Sequence, residues 1–344
     1  VFLMFALGLE FSFKKIVDVG KSAIITAMTV MTAMILIGFL IGRLLGWGQM
    51  DSIFLGGMLS MSSTMIILKA YEEFGIKKKK FATLVLGTLV IEDIGGIFMM
   101  IILSTIAVSK GSQGGGAIVG ELGLLILYLV LWLALGIYLI PTLLKKASKL
   151  MNDESLLIVS LAICLGMVIL ANVIGFSSAL GAFIAGSIIG GTVLAEKVEH
   201  IIKPIKDMFG AVFFISVGMM IVPEMLLEYI APILLITVVT ILGQMTFSTL
   251  GILISGNSLN TAIRGGFSMV QIGEFSFIIA TLGTTLGVTS DFLYPIVVCV
   301  SVITTFTTPI FIKNSEKVYD FVDDKLPDKA RKFIRRYTSD RKTS

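Results

Sequence analysis

Residues 81–108 read FATLVLGTLVIEDIGGIFMMIILSTIAV. The run is long enough to cross a bilayer core, which asks for about 20 apolar residues. At its centre stand Glu92 and Asp93, with no basic residue anywhere in the run. A carboxylate at that depth costs about 2.5–3.5 kcal/mol on insertion scales unless it is paired, hydrated or protonated, and such groups mark ion paths or proton relays. Adjacent side chains on a helix diverge by about 100°, so the two carboxylates face neighbouring sectors. The stretch therefore describes a membrane helix whose charged centre has a task.

The whole chain fits that reading. Its 344 residues are 56% hydrophobic and only 15% charged, with a mean hydropathy of +0.99. Soluble domains carry about 25% charged residues, so a water-soluble enzyme is excluded, and so are disordered and disulfide-framework chains. Cys164 and Cys299, the two cysteines, both lie in apolar runs and read as small buried hydrophobes. His200 has no clustered partner, which argues against a zinc or iron site. No cofactor is expected.

Eleven apolar segments are expected, near 1–12, 21–46, 52–70, 81–108, 117–144, 155–173, 176–194, 206–222, 229–255, 260–286 and 289–312. The first, opening VFLMFALGLE, is too short to span and reads as the second half of a helix, so a further N-terminal portion is expected. Of 27 Lys and Arg residues, fifteen fall in alternate loops, from Lys14, Lys15 and Lys21 to Arg264, and ten lie in the tail from Lys313 onward. The intervening loops hold Arg43 and Lys110 and include the acidic stretch around Glu224. Positive charge marks the cytoplasmic side, which places the tail 313–344 there.

By this alternation 21–46 and 229–255 enter the membrane from opposite sides, and each opens a three-helix unit, 21–108 and 229–312. Both middle helices are interrupted by polar residues: Ser60-Met61-Ser62-Ser63-Thr64 in one, Gln271-Ile272-Gly273-Glu274 in the other. Inverted repeats with broken central helices characterise transporters, whose half-helix ends point at an ion near the midplane. The expected fold is thus an all-α membrane protein with an inverted repeat and two broken crossing helices. A single Ser62 or Thr64 would more simply bond its own preceding turn; four hydroxyls with a matching break opposite argue for a site. Of 23 acidic residues, Glu92, Asp93 and Glu274 lie at mid-span, whereas Glu10 and Asp207 sit near span ends. Glu274, at a break, is suited to capping a half-helix N-terminus, with direct service on the ion path as the other reading.

The runs LGLEF (7–11), SMSSTMIILK (60–69), VIEDIGG (90–96), ALGAFIAGSIIG (179–190), FFISVGM (213–219) and QIGEFSF (271–277) resemble the membrane domain of Kef-type transporters in the monovalent cation:proton antiporter-2 family. The resemblance covers about residues 1–312. It implies a homodimer with a mobile core and a dimerisation side; units 21–108 and 229–312 would form the core, and 1–12 with 155–222 would fall mainly on the dimerisation side. It also implies that about two helices and part of a third would precede Val1. Carried over, Asp93 matches the family's ion-binding aspartate. Glu92 stands where such members carry Gln or Asp, and Ser62, Ser63 and Thr64 match the unwound site. Glu274, beside Gly273, matches a glutamate of the second crossing helix. A departure falls at Gln244, which aligns with a family lysine; Gln cannot neutralise a carboxylate.

The resulting expectation is exchange of Na⁺ or K⁺ against H⁺ by alternating access, with Asp93 holding either a proton or a cation. Glu92 would be a second titrating group, and the hydroxyls of Ser62, Ser63 and Thr64 oxygen ligands or helix-end orienters. The monovalent cation itself would sit at Asp93 and Thr64. A cation channel or sodium-coupled symporter is the alternative, since inverted repeats occur there too. An intramembrane protease would need carboxylates converging from separate helices, and no enzyme is expected. The expected setting is a multi-pass protein of the cell membrane's lipid bilayer. Kef-type chains continue into a nucleotide-binding regulatory domain, but no GxGxxG occurs here, so a separate cytoplasmic regulatory subunit is an expected partner and nucleic acid is not. Val318, Phe321, Val322, Phe333, Ile334 and Tyr337 give the tail the spacing of an amphipathic helix.

Overall fold

The computed structural model describes residues 1–10, 13–109, 141–142, 151–174, 178–219 and 227–327. In lipid every backbone N–H and C=O must be satisfied within the protein, which favours helices. The described residues form α1 (Phe2–Glu10), α2 (Phe13–Leu44), α3 (Gln49–Leu59), α4 (Thr64–Glu73), α5 (Lys80–Ser109) and α6 (Asp153–Ile174). They continue through α7 (Ser178–Gly190), α8 (Ala195–Met219), α9 (Ile230–Ile254), α10 (Leu259–Gly266), α11 (Glu274–Thr285) and α12 (Leu293–Lys325). Among these residues six stretches are long and apolar enough to span, the α3–α4 pair counting as one.

The chain divides into two compact units, Val1–Val17 with Met100–Met220, and Asp18–Met99 with Ile221–Ser344. Near the first boundary Gly20 kinks α2 with φ 79, a left-handed conformation that favours glycine. In the first unit α1 packs on α7, and α6 on α7. Gly8 lies against the backbone of Phe183 and Ser187, and Gly186 against Phe5 and Leu9. Small residues at such crossings let membrane helices approach backbone to backbone.

The second unit holds both broken helices. Its first helices, α2 and α9, run antiparallel. Ser22 reaches Ser255, Gly251 lies against Thr26, and Gly243 against Met34, so contacts move up one helix as they move down the other. An inverted repeat requires that of its opening helices. Likewise α3, the first half of one broken helix, packs on α11, the second half of the other. Beneath them Ile67, Tyr71, Phe81, Val85, Leu89, Met269 and Ile312 close a buried apolar cluster.

The expected segments agree with the helices in order and, at most ends, to within a few residues, with instructive differences. Segments 52–70 and 260–286 each split in two, at 60–63 and 267–273. Helix α8 starts at Ala195 rather than 206, because Val198 and Ile202, one turn apart, are both buried and carry the helix back through Lys197 and Lys203. Helix α12 continues past 312 to Lys325 and ends there because Leu326, preceding Pro327, is extended (ψ 127). That extension contains Val318, Phe321 and Val322; Phe333, Ile334 and Tyr337 lie outside the described residues, as does segment 117–144 but for 141–142. Arg264, grouped above with loop charges, lies in the last turn of α10. Its guanidinium sits over the Phe81 ring at 4.5 Å and 3.4 Å from Glu316.

A Cβ at Gly251 would stand 2.9 Å from the Thr26 Cα. Overpacking of this kind costs about 1–3 kcal/mol. Gly251→Ala is therefore expected to lower the melting temperature of the purified protein by several degrees. Gly166→Ala, where nothing lies within 4 Å of the added carbon, should leave it unchanged in the same assay.

Candidate functional site

The site is assembled in the second unit, where two helices stop in mid-course. α3 ends at Leu59, and Ser60 turns its hydroxyl back onto the Gly57 carbonyl at 2.8 Å. The chain then runs extended until Ser63, which caps α4 by accepting from the Ile66 N–H at 3.3 Å. Opposite it, α10 ends at Gly266 and α11 begins at Glu274 after an extended Gly273. These are the two interruptions expected from the polar residues.

Interruption frees backbone groups that lipid cannot satisfy, and the two breaks satisfy each other. The Gly273 N–H donates to the Met61 carbonyl at 2.8 Å. The Gln271 amide donates to the Ser63 carbonyl at 3.4 Å. Ser276 donates to the Met58 carbonyl at 2.5 Å, and Gln244 to the Leu59 carbonyl at 2.9 Å. A Cβ on Gly273 would strike the Ser62 carbonyl and stand 2.9 Å from the Ser63 nitrogen. Only glycine permits that crossing.

Each of the three mid-span carboxylates meets a different residue of the first break. Glu92 Oε2 accepts from the Ser62 backbone N–H at 3.1 Å. Asp93 Oδ2 accepts from the Thr64 hydroxyl at 3.1 Å. Glu274 Oε2 accepts from the Ser63 hydroxyl at 3.0 Å. The divergence of Glu92 and Asp93 is visible in their surroundings: Glu92 is 1% exposed and its neighbours Ser62 and Ser63 are also buried, while Asp93, Thr64 and Glu274 are half-buried. Asp93 and Thr64 thus form an accessible oxygen pair, and Glu92 a sealed one. Hard monovalent cations take oxygen donors, and such donors converge here.

Glu274 is the first residue of α11, so its carboxylate lies at the positive end of a half-helix dipole while also receiving the Ser63 hydroxyl. That geometry is the capping one expected of a carboxylate at a helix break. Gln244 is wholly buried and uses its amide as a strut to the end of α3; a lysine there would offer a charge in place of that neutral strut.

Sequence reasoning passed over two groups. On α12, Ser301 donates to the Ile272 carbonyl, Thr304 accepts from the Ile272 N–H, each at 3.4 Å, and Thr308 donates to Gln271 at 3.2 Å. Their spacing puts all three on one helix face, a signal available in the sequence. Asp51, buried at the start of α3, accepts from the Ser290 N–H at 2.7 Å and its hydroxyl at 2.9 Å. Nothing local in the sequence pairs residues so far apart.

Comparisons with known proteins bear on this arrangement. The chain is 30% identical over 317 residues to K(+) efflux antiporter 6 of Arabidopsis thaliana, covering 91% of this chain and 53% of the relative. It is 28% identical over 322 residues to K(+)/H(+) antiporter subunit KhtU of Bacillus subtilis (strain 168), covering 93% and 78%. Against its Arabidopsis relative, then, the chain spans about half the length. The sodium proton antiporter MjNhaP1 from Methanocaldococcus jannaschii, at 16% identity, superposes with a TM-score of 0.59 over 92% of this chain and 82% of its own, a likeness of fold. The family model for the transmembrane domain of sodium/hydrogen exchangers matches residues 1–313. By that match, which takes in both breaks and all three carboxylates, the chain belongs to the sodium/hydrogen exchanger family.

Proposed function

We propose that this chain exchanges Na⁺ or K⁺ against H⁺ across the bilayer by alternating access, as a secondary-active antiporter. The observation that carries the reading is the half-buried Asp93 carboxylate held by the Thr64 hydroxyl at a helix break. A cation arriving at Asp93 and Thr64 displaces the proton on the carboxyl, and the proton leaves to the side from which the cation came. On the other side the exchange reverses. One carboxylate with two mutually exclusive occupants couples the flows. Ser62 and Ser63 hold Glu92 and Glu274 in place, so the oxygen cage keeps its shape as the occupant changes. The likeness to a K(+)/H(+) antiporter subunit and to a K(+) efflux antiporter supports antiport over a channel or symporter.

In this reading 21–108 and 229–312 form the moving core, and 1–12 with 155–222 supply mainly the static side through which two copies form a homodimer. The protein works in the cell membrane with its tail in the cytoplasm, in line with the ten basic residues from Lys313 onward. A separate cytoplasmic regulatory subunit would act there.

Two measurements test the reading. Asp93→Asn is expected to abolish cation-dependent dequenching of a pH dye in everted vesicles, whether Na⁺ or K⁺ is added; exchange retained by that variant removes Asp93 from the mechanism. Glu92→Leu leaves the Ser62 N–H without its acceptor, at a cost of about 1–3 kcal/mol, and should lower the melting temperature of the purified protein. Glu92→Gln keeps an acceptor oxygen, so it should melt near the parent and shift the pH profile of exchange without ending it.

A further inference from the structure

We propose that Arg264 is a positioning residue for ion exchange: latched to Glu316 on the extension of α12 beyond 312, it sets the second break and, through it, the cation affinity of the Asp93–Thr64 pair. The effect on affinity rests on the antiport reading above.

The chain from Arg264 to Ile272 climbs one side of α12 by a series of paired contacts. The Arg264 guanidinium lies 3.4 Å from Glu316, and the Phe267 and Phe311 rings meet with centroids 6.1 Å apart. Gln271 accepts from Thr308 at 3.2 Å. The Ile272 N–H donates to Thr304 and its carbonyl accepts from Ser301, each at 3.4 Å. As the numbers rise along this segment they fall along α12, from 316 to 301, a length of about 22 Å at 1.5 Å per residue. The top of the ladder holds the first break. There the Gln271 amide reaches the carbonyl of Ser63, the residue before Thr64, and the Gly273 N–H reaches the Met61 carbonyl. Rungs of this length are weak hydrogen bonds, so the position of 271–273 depends on the ladder as a whole, its lower end included.

That lower end is the rung built from charges. The Arg264 side chain is 11% exposed and the Glu316 side chain 62%, so a nearly buried guanidinium depends on a carboxylate at the water's edge. The guanidinium also lies 4.5 Å over the ring of Phe81, in the first turn of α5, the helix that carries Glu92 and Asp93. Arg264 thereby ties α10, α5 and α12 at one point. A plain staple would need no charge there, since Tyr71, Phe81, Met269 and Ile312 already close an apolar cluster, and a buried guanidinium is costly unless it is paired. What the pair adds is a tether that holds the end of α10 to α12 from outside that cluster. Slackening the tether frees 264–273 to shift, and with them the Ser63 carbonyl and Thr64. The cation must then order its own oxygen ligands, and the ordering cost appears as weaker binding.

The test reads cation affinity in two ways. One is the half-saturating K⁺ or Na⁺ concentration for dye dequenching in everted vesicles; the other is the midpoint of the cation-induced rise in melting temperature of the purified chain. Glu316→Gln should raise both about threefold, the scale of a partly exposed ion pair, with the maximal rate and the cation-free melting temperature near the parent's. Glu316→Lys, which sets like charges face to face, should raise them further. Arg264→Gln should act as Glu316→Gln does, and the double variant no more than either alone. Arg264→Lys, which keeps the charge, should lie closer to the parent. Asp320→Asn, exposed and one turn further along α12, should change nothing. Unchanged affinity in both Glu316 variants overturns the proposal. So do additive effects in the double variant, or a loss confined to maximal rate and melting temperature, which a staple alone would give. If the parent chain exchanges nothing, the antiport reading has failed. The melting midpoints then decide whether the latch sets cation binding, and a parent that responds to neither cation overturns the latch as well.

Discussion

Everything in the second unit depends on how two interrupted helices are made tolerable inside lipid. The bond from the Gly273 N–H to the Met61 carbonyl, at 2.8 Å, is the central one: it joins the extended part of one break to the extended part of the other. Around it, Gln244, Gln271 and Ser276 close carbonyls of the first break, and α12 closes Ile272 through Ser301 and Thr304. The crossing is thus a small polar core inside an apolar bundle. Its cost in desolvation is met by extensive mutual hydrogen bonding.

The carboxylates extend the same logic. Glu92 serves the backbone, taking the freed Ser62 N–H, whereas Asp93 takes the Thr64 hydroxyl and is half-buried. Two acids adjacent in the sequence therefore divide between a sealed backbone contact and a half-buried hydroxyl contact. Gln244 fits beside them as a neutral strut. Its amide, donated to the Leu59 carbonyl, brings a hydrogen bond and no charge.

Much of this was legible in the sequence because the membrane simplifies the reading. Apolar length marks spans, basic loops mark sides, and a polar interruption inside an apolar run has few innocent explanations. Ser60–Thr64 and Gln271–Glu274 declared both breaks in that way, and Glu92, Asp93 and Glu274 stood out because a mid-span carboxylate is costly. What escaped was pairing between distant segments. Asp51 looks like an ordinary acidic residue in the first turn of a helix until Ser290 is found against it. The boundaries of α8 and α12 escaped because amphipathic turns continue a span without looking like one.

The glycine at 273 has a further consequence for how such a protein diversifies. With the Ser62 carbonyl occupying the space where a side chain would begin, the separation of the two crossing strands is held at backbone contact and leaves no latitude for drift. Substitution around this crossing can therefore change the oxygen-bearing side chains hung about it but not its width. Descent can retune the ornaments of the joint while the joint itself stays frozen.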